Sequence, residues 1–238
     1  MPARQAPRKP SSTRSPVADT ERAEPSPARH IPTTLGEAFS AFARHRSPRL
    51  LFVCTVLAAL RRSQLGPLSA ADFVAAAALL AFWPLQEWLI HVFILHFRPR
   101  KVGRWTLDFA VPKAHRAHHR DPWDYELLFI PFHSYAYSLP LLLLSWHLAA
   151  PTSGVAWSGI TLHLALALQY EWVHFLVHTR VPPRFGPYRI VWRNHRLHHF
   201  RNENYWYGVT RLEADWLLGT APEPAAVPVS PTARTLGG

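Results

Sequence analysis

The 238-residue chain is long enough for one compact domain with a sizeable core, and 48% of it is hydrophobic. Lys and Arg number 26 against 15 acids, giving a formal net charge of +11. That balance would suit a phosphate-neutralising nucleic-acid binder, but the long, sparsely charged runs Ala70–Leu95 and Gly154–Val177 and the lack of a recognised binding motif argue against one.

In chain order, residues 1–34 are rich in Pro, Ser, Ala and Arg without apolar periodicity, and read as a disordered basic arm. The stretch lacks the apolar core of a secretory signal peptide and is expected to be retained. The first apolar segment, Leu50–Leu60, is too short for an untilted span of about 20 residues. The second, Ala70 to about Phe97, is long enough to project beyond the hydrocarbon. The third runs from about Leu127 to Ala150, interrupted by Pro131 and Pro140, and the fourth from about Gly154 to His178. No convincing strand alternation occurs. The last residues, 220–238, read as a disordered tail. The lone Cys54 allows no disulfide, Cys-x-x-Cys pair or iron–sulfur cluster within the chain and reads as a small hydrophobe.

The expected fold is all-α: an integral membrane bundle over residues 35–219, with about four spans in two hairpins. Seven basic residues from Arg98 to Arg120 follow the second segment, and seven from Arg180 to Arg211 follow the fourth. The connection between the third and fourth has none, so both basic blocks and the N-terminal arm are expected on the cytoplasmic side. Arg61 and Arg62 do not fit this topology.

The basic blocks carry the chemistry. The order Glu-Trp, histidine pair, then His-Arg-x-His-His occurs twice: EWLIHVFILHF with HRAHH, and EWVHFLVHT with HRLHH. On a helix, positions i, i+3 and i+4 share a face. His115, His118 and His119 should therefore converge on one place, as should His195, His198 and His199; His174 and His178 are also i, i+4. His91 and His96 lie about 140° apart on an ideal helix and share a face only if it unwinds or bulges there. Imidazoles suit zinc, copper, iron and nickel, and ten exceed what one ion holds. Two ions with about five nitrogens each would leave a position for water or oxygen on a six-coordinate metal. Of the other five histidines, only His133 is kept as a channel residue; His30 and His45 lie in or near the arm, and His147 and His163 far from the cytoplasmic face.

Residues 75–220 resemble the fatty acid hydroxylase superfamily of membrane non-haem di-iron enzymes, which includes sterol desaturases. The four histidine groups match its boxes. HHRDPWDYELLFIP is similar to the stretch after its first triplet, and ENYWYGVT with Asp215 and Gly219-Thr220 to its closing pattern. Four residues between His91 and His96 are similar to the fatty acid 2-hydroxylase branch. Ala214 departs from the pattern, which often has tryptophan there.

The resemblance implies an O2-dependent hydroxylase of fatty acyl or other lipid C–H bonds, holding two iron ions that zinc can replace in purified protein. It implies a lipid substrate in the bilayer. With no His-Pro-Gly-Gly haem motif in these residues, a separate electron donor is expected, cytochrome b5-like or a ferredoxin with its reductase. Alternatives are a desaturase or a carotenoid or sterol oxidase on the same metal site, and a non-enzymatic zinc-binding membrane protein. Glu87 and Glu171, at intramembrane or interfacial depth, are expected to accept hydrogen bonds from ligand imidazoles. Trp88 and Trp172 are expected to be interfacial anchors. Asp121, Asp124, Asn204 and Tyr205 are further candidates around the site.

Overall fold

A computed structural model describes residues 30–236. The expectation for the arm therefore falls largely outside the described residues. Its last residues are ordered: the Pro32 carbonyl accepts from Arg180 N at 2.9 Å, and Thr34 caps the first helix by accepting from Glu37 N.

The described residues form eight α-helices: α1 (Leu35–Arg44), α2 (Arg46–Ser63), α3 (Ala70–Leu89), α4 (Ala110–Arg120), α5 (Tyr135–Ala149), α6 (Ser153–Val177), α7 (Gly186–Phe200) and α8 (Glu213–Leu217). A π-helical turn, Ile90–Leu95, continues α3. Between it and α4 lies one departure from the all-helical expectation, a small antiparallel hairpin pairing β1 (Arg100–Val102) with β2 (Trp105–Leu107). Buried Arg116 ties that hairpin to α4, donating to the Phe97 carbonyl at 3.0 Å and to Asp108 at 2.5 Å.

Among the described residues, three helical segments are long and apolar enough to cross a membrane: Ala70–Leu95, Tyr125–Ala149 and Ser153–Val177. They leave large apolar side chains such as Phe73, Val74, Leu144 and Leu148 exposed, as a lipid-facing surface requires. Three such segments stand where about four spans were expected: α2 is not among them, and α2, α3 and α5 each pack against α6. Apolar clusters join the layers: Leu51 and Ala58 of α2 meet Ile160 and Leu164 of α6, and Leu79 and Trp83 of α3 meet Leu166. At Gly159, a Cβ would lie 2.3 Å from the Trp146 ring, so glycine lets α5 and α6 approach. Helix α1 covers α6 by burying Ala38 and Phe42 against Phe129 and Phe175.

The misfit of Arg62 has a physical answer. Its guanidinium is buried, pairs with Asp72 at 3.0 Å, and donates to Ser158 and to the carbonyls of Gly66 and Pro67. Asp72 also accepts from the backbone and hydroxyl of Ser69. One paired charge thus clamps the ends of α2, α3 and α6 opposite the histidines. Arg62→Ala would leave Asp72 without its cation and should lower stability by about 3–5 kcal/mol. The double variant Arg62→Leu with Asp72→Leu should cost much less. Thermal unfolding of the purified protein checks this, and equal losses in the two variants would contradict it.

Candidate metal centre

All four histidine groups converge. The π-helical turn meets the condition that the first pair imposed: His96 N donates to the His91 carbonyl at 3.0 Å, and the two rings lie 4.9 Å apart. His174 lies in the last turn of α6 and His178 caps its end, while α4 and α7 carry the two triplets.

The imidazoles sort into two sets of five, each with one nitrogen per ring and those nitrogens within 4.8 Å of one another. One set is His91, His96, His115, His119 and His198; the other is His118, His174, His178, His195 and His199. A triplet therefore does not aim at one place. Successive residues on a helix point about 100° apart, so the adjacent His118 and His119 diverge, as do His198 and His199. In each triplet the i and i+4 rings stay together and the i+3 ring crosses to the other set. Each half of the repeat gives four rings to one set and exchanges a fifth.

The donor atoms fit metal ions. In the first set, Nε2 of all five rings is buried without a protein partner. In the second, His174 Nε2 is likewise unpartnered, while the Nε2 atoms of His118 and His199, His199 and His195, and His195 and His178 approach to 3.1 Å. Clustered neutral lone pairs at such spacing are what a cation would draw together.

The rings are held in the ligating form. Burial pushes His96, His115, His118, His178, His195, His198 and His199 well below the usual imidazole range. His119 is pushed down to about 3, mainly by burial, with the hydrogen bond to Ala233 opposing. Four rings have their outer nitrogen fixed by a backbone carbonyl. His91 Nδ1 donates to Tyr207 O at 2.6 Å, and His119 to Ala233 O, His174 to Leu128 O and His198 to Tyr205 O at 2.8 Å each. A carbonyl only accepts, so the proton sits on Nδ1 and the Nε2 lone pair faces inward.

Glu87 and Glu171 do not accept from imidazoles as expected; the Nδ1–H groups of His91 and His174, the first ring of each pair, go to carbonyls instead. Each acts on the loop that supplies a carbonyl. Glu87 accepts from Trp83 Nε1, the Thr210 hydroxyl, and the backbone N–H groups of Val209 and Thr210. Tyr207, whose carbonyl holds His91, lies in that loop. Glu171 accepts from Ser47 Oγ at 2.5 Å and from Ile130 N at 2.9 Å, two residues from Leu128, whose carbonyl holds His174.

Asp215, fully buried, holds the first loop from the other side by accepting from Tyr207 N, Gly208 N and the Thr220 hydroxyl. A Cβ on Gly208 would lie 2.0 Å from the Arg211 carbonyl, which explains the Gly-Val-Thr word. Trp88 is bonded inward, to the Thr220 hydroxyl at 3.0 Å, and Trp172 packs on Phe42.

Of the remaining candidates, Tyr205 acts through its carbonyl, and Asn204 bonds the Asn202 side chain. Asp124 caps the turn Tyr125–Leu127. His133 is exposed and does not line the cavity below. The stretch from residue 220, expected to be disordered, packs on the site instead. Ala233 O holds His119, Thr232 bonds Glu203 at 2.5 Å, Arg234 donates to the carbonyls of His119 and Arg120, and Val227 and Leu236 are buried. These hydrogen bonds fix a segment whose side chains carry no periodic signal.

A cavity of about 320 Å³ opens between α3, α5 and α6 beneath the histidines. Apolar side chains such as Ile94, Val111 and Leu164 line it, and it touches His115 of one set and His174 of the other.

Residues 76–220 match the fatty acid hydroxylase family. The dihydroceramide fatty acyl 2-hydroxylase FAH2 of Arabidopsis thaliana is 28% identical over 141 residues, which cover 59% of this chain and 57% of that protein. The fatty acid 2-hydroxylase of Rattus norvegicus is 26% identical over 152 residues, 61% of this chain and 39% of that one. The chain thus matches little more than half the length of the first relative and less of the second. Among solved structures, full-length scs7p, in which only the hydroxylase domain is visible, shares the fold. It aligns with a TM-score of 0.61 at 24% identity, over 77% of this chain and 68% of that chain.

The loop at Tyr207–Thr210 gives a direct test of the ligand supports. Glu87→Leu and Gly208→Ala should each release it and weaken metal retention by about 10–100-fold. Metal per chain during chelator competition measures this, and retention equal to the unaltered protein would contradict the role of the loop.

Proposed function

The chain belongs to the fatty acid hydroxylase family, and from that membership we propose that it is an O2-dependent hydroxylase acting on a C–H bond of a fatty acyl chain or another lipid. It is a multi-pass membrane protein. The observation that carries the reading is the apolar cavity reaching one imidazole of each five-ring set. A lipid chain in that cavity would lie against both sets at once.

Both sets would hold iron, with His91, His96, His115, His119 and His198 around one ion and His118, His174, His178, His195 and His199 around the other. Iron bound there would supply the activation of O2 and the oxidation of an unactivated C–H bond, which no side chain performs unaided. The chain does the rest. Backbone carbonyls keep four Nδ1 protons outward and four Nε2 lone pairs inward. Glu87, Asp215 and Glu171 hold the carbonyl-bearing loops. The cavity walls exclude water and hold one carbon near the imidazoles.

The lipid would come from the bilayer, and the electrons from a separate donor such as a cytochrome b5-like protein or a ferredoxin with its reductase. The basic blocks beside the histidines support a cytoplasmic position for that face.

Lipid mass spectrometry of cells with and without the chain tests the reaction. A gain of one oxygen is expected in a lipid class, and a loss of two hydrogens would make the protein a desaturase. His118→Ala, His174→Ala and His198→Ala should each abolish the product; normal product from any of them removes that ring from the centre.

A further inference from the structure

One polar pair inside the cavity takes no part in the metal centre. His163 of α6 was expected to be remote from the chemistry, yet it lines the same cavity as His115 and His174, and Gln86 of α3 lines it beside His163. Gln86 Nε2 lies 3.0 Å from His163 Nε2. An amide NH2 only donates, so His163 Nε2 accepts and the ring proton sits on Nδ1. That Nδ1 is buried and has no protein partner. The indole of Trp83, edge-on at 5.5 Å, braces the ring.

A polar pair at membrane depth that served only to join α3 and α6 would need no further hydrogen-bonding capacity. Here one ring nitrogen is left without a partner, on a side chain that lines a cavity whose other walls are largely apolar. A saturated hydrocarbon chain would leave it unsatisfied, whereas a chain bearing an oxygen would not. Residues 163 and 174 are eleven apart on one helix, which places His163 about 16 Å along the axis from His174, one of the two rings that border the cavity.

We propose that the Gln86–His163 pair is a recognition point for an oxygen function, hydroxyl or carbonyl, carried part-way along the substrate's apolar chain. The substrate class is then an already oxygenated lipid, and the enzyme supplying it must itself be an oxygenating or hydrating one. The inference rests on the hydroxylase reading for the identity of the cavity as a substrate site, but its test does not depend on turnover.

The test is equilibrium competition against radiolabelled stearate on the purified full-length chain in phosphatidylcholine nanodiscs. The competitors are stearate and a series of monohydroxystearates with the hydroxyl moved along the chain. At one hydroxyl position the competitor should bind about tenfold more tightly than stearate, the gain from one buried hydrogen bond. His163→Leu and Gln86→Leu should each bring that ratio to about one while stearate binds as before; His163→Gln, which keeps a donor, should retain part of it.

A wild-type protein that prefers no isomer, or a preference that survives both leucine variants, overturns the proposal. A preference that is lost together with stearate binding in both leucine variants, but kept in His163→Gln, supports it. Selective binding by a protein that oxidises no lipid would uphold the recognition point and remove the hydroxylase reading. A confirmed hydroxylase that binds all isomers equally would do the reverse.

Discussion

A carbonyl that accepts the outward N–H of a buried imidazole turns its inward nitrogen toward a cation. Ten imidazoles share one small volume here, and their mutual closeness is costly unless every one stays neutral. The carbonyls of Tyr207, Tyr205, Leu128 and Ala233 turn four of them in this way. The rest of the structure around the site serves to put those carbonyls in place. The loop after α7 is held between Glu87 and Asp215, and the turn before α5 by Glu171 and Ser47. The final segment is laid over α4 and α7 by Arg201, Arg234 and Glu203.

The arrangement has a two-fold logic that mirrors the repeated sequence. In each half a glutamate followed by a tryptophan lies one turn before a histidine pair. In each half the glutamate grips a loop whose carbonyl fixes the first histidine of the pair. These carboxylates act through one intervening loop rather than on the rings. That placement keeps both carboxyl groups off the imidazoles themselves while still coupling the depth of α3 and α6 to ring orientation. The crossing of His118 and His198 then stitches the halves together, since neither set is complete without a ring from the other helix.

The sequence displayed the candidate metal-ligating rings because histidine spacing is a side-chain property, and it even displayed the need for a distorted helix at His91–His96. The long apolar helices were equally legible from composition. The ring assignment was not, because i+3 and i+4 both count as one face until the 100° between neighbours is resolved against a real partner. The carbonyl supports were invisible, since every residue carries a carbonyl. Glu87 and Glu171 could be picked out as acids at membrane depth, but their partners, Val209, Thr210, Ser47 and Ile130, lie across tertiary contacts that no local pattern encodes. Arg62 looked out of place for the same reason, its partner Asp72 being on the next helix. His163 was set aside on depth alone, and the depth of the cavity was what the sequence did not reveal.

The central claim is the exchange of one ring between the two five-imidazole sets. A crystal structure of the iron-loaded protein with anomalous diffraction maps tests it most directly. Two peaks per chain are predicted, one bounded by His91, His96, His115, His119 and His198 and the other by His118, His174, His178, His195 and His199. A single peak, or two peaks with His118 and His119 bound to the same ion, would contradict the account.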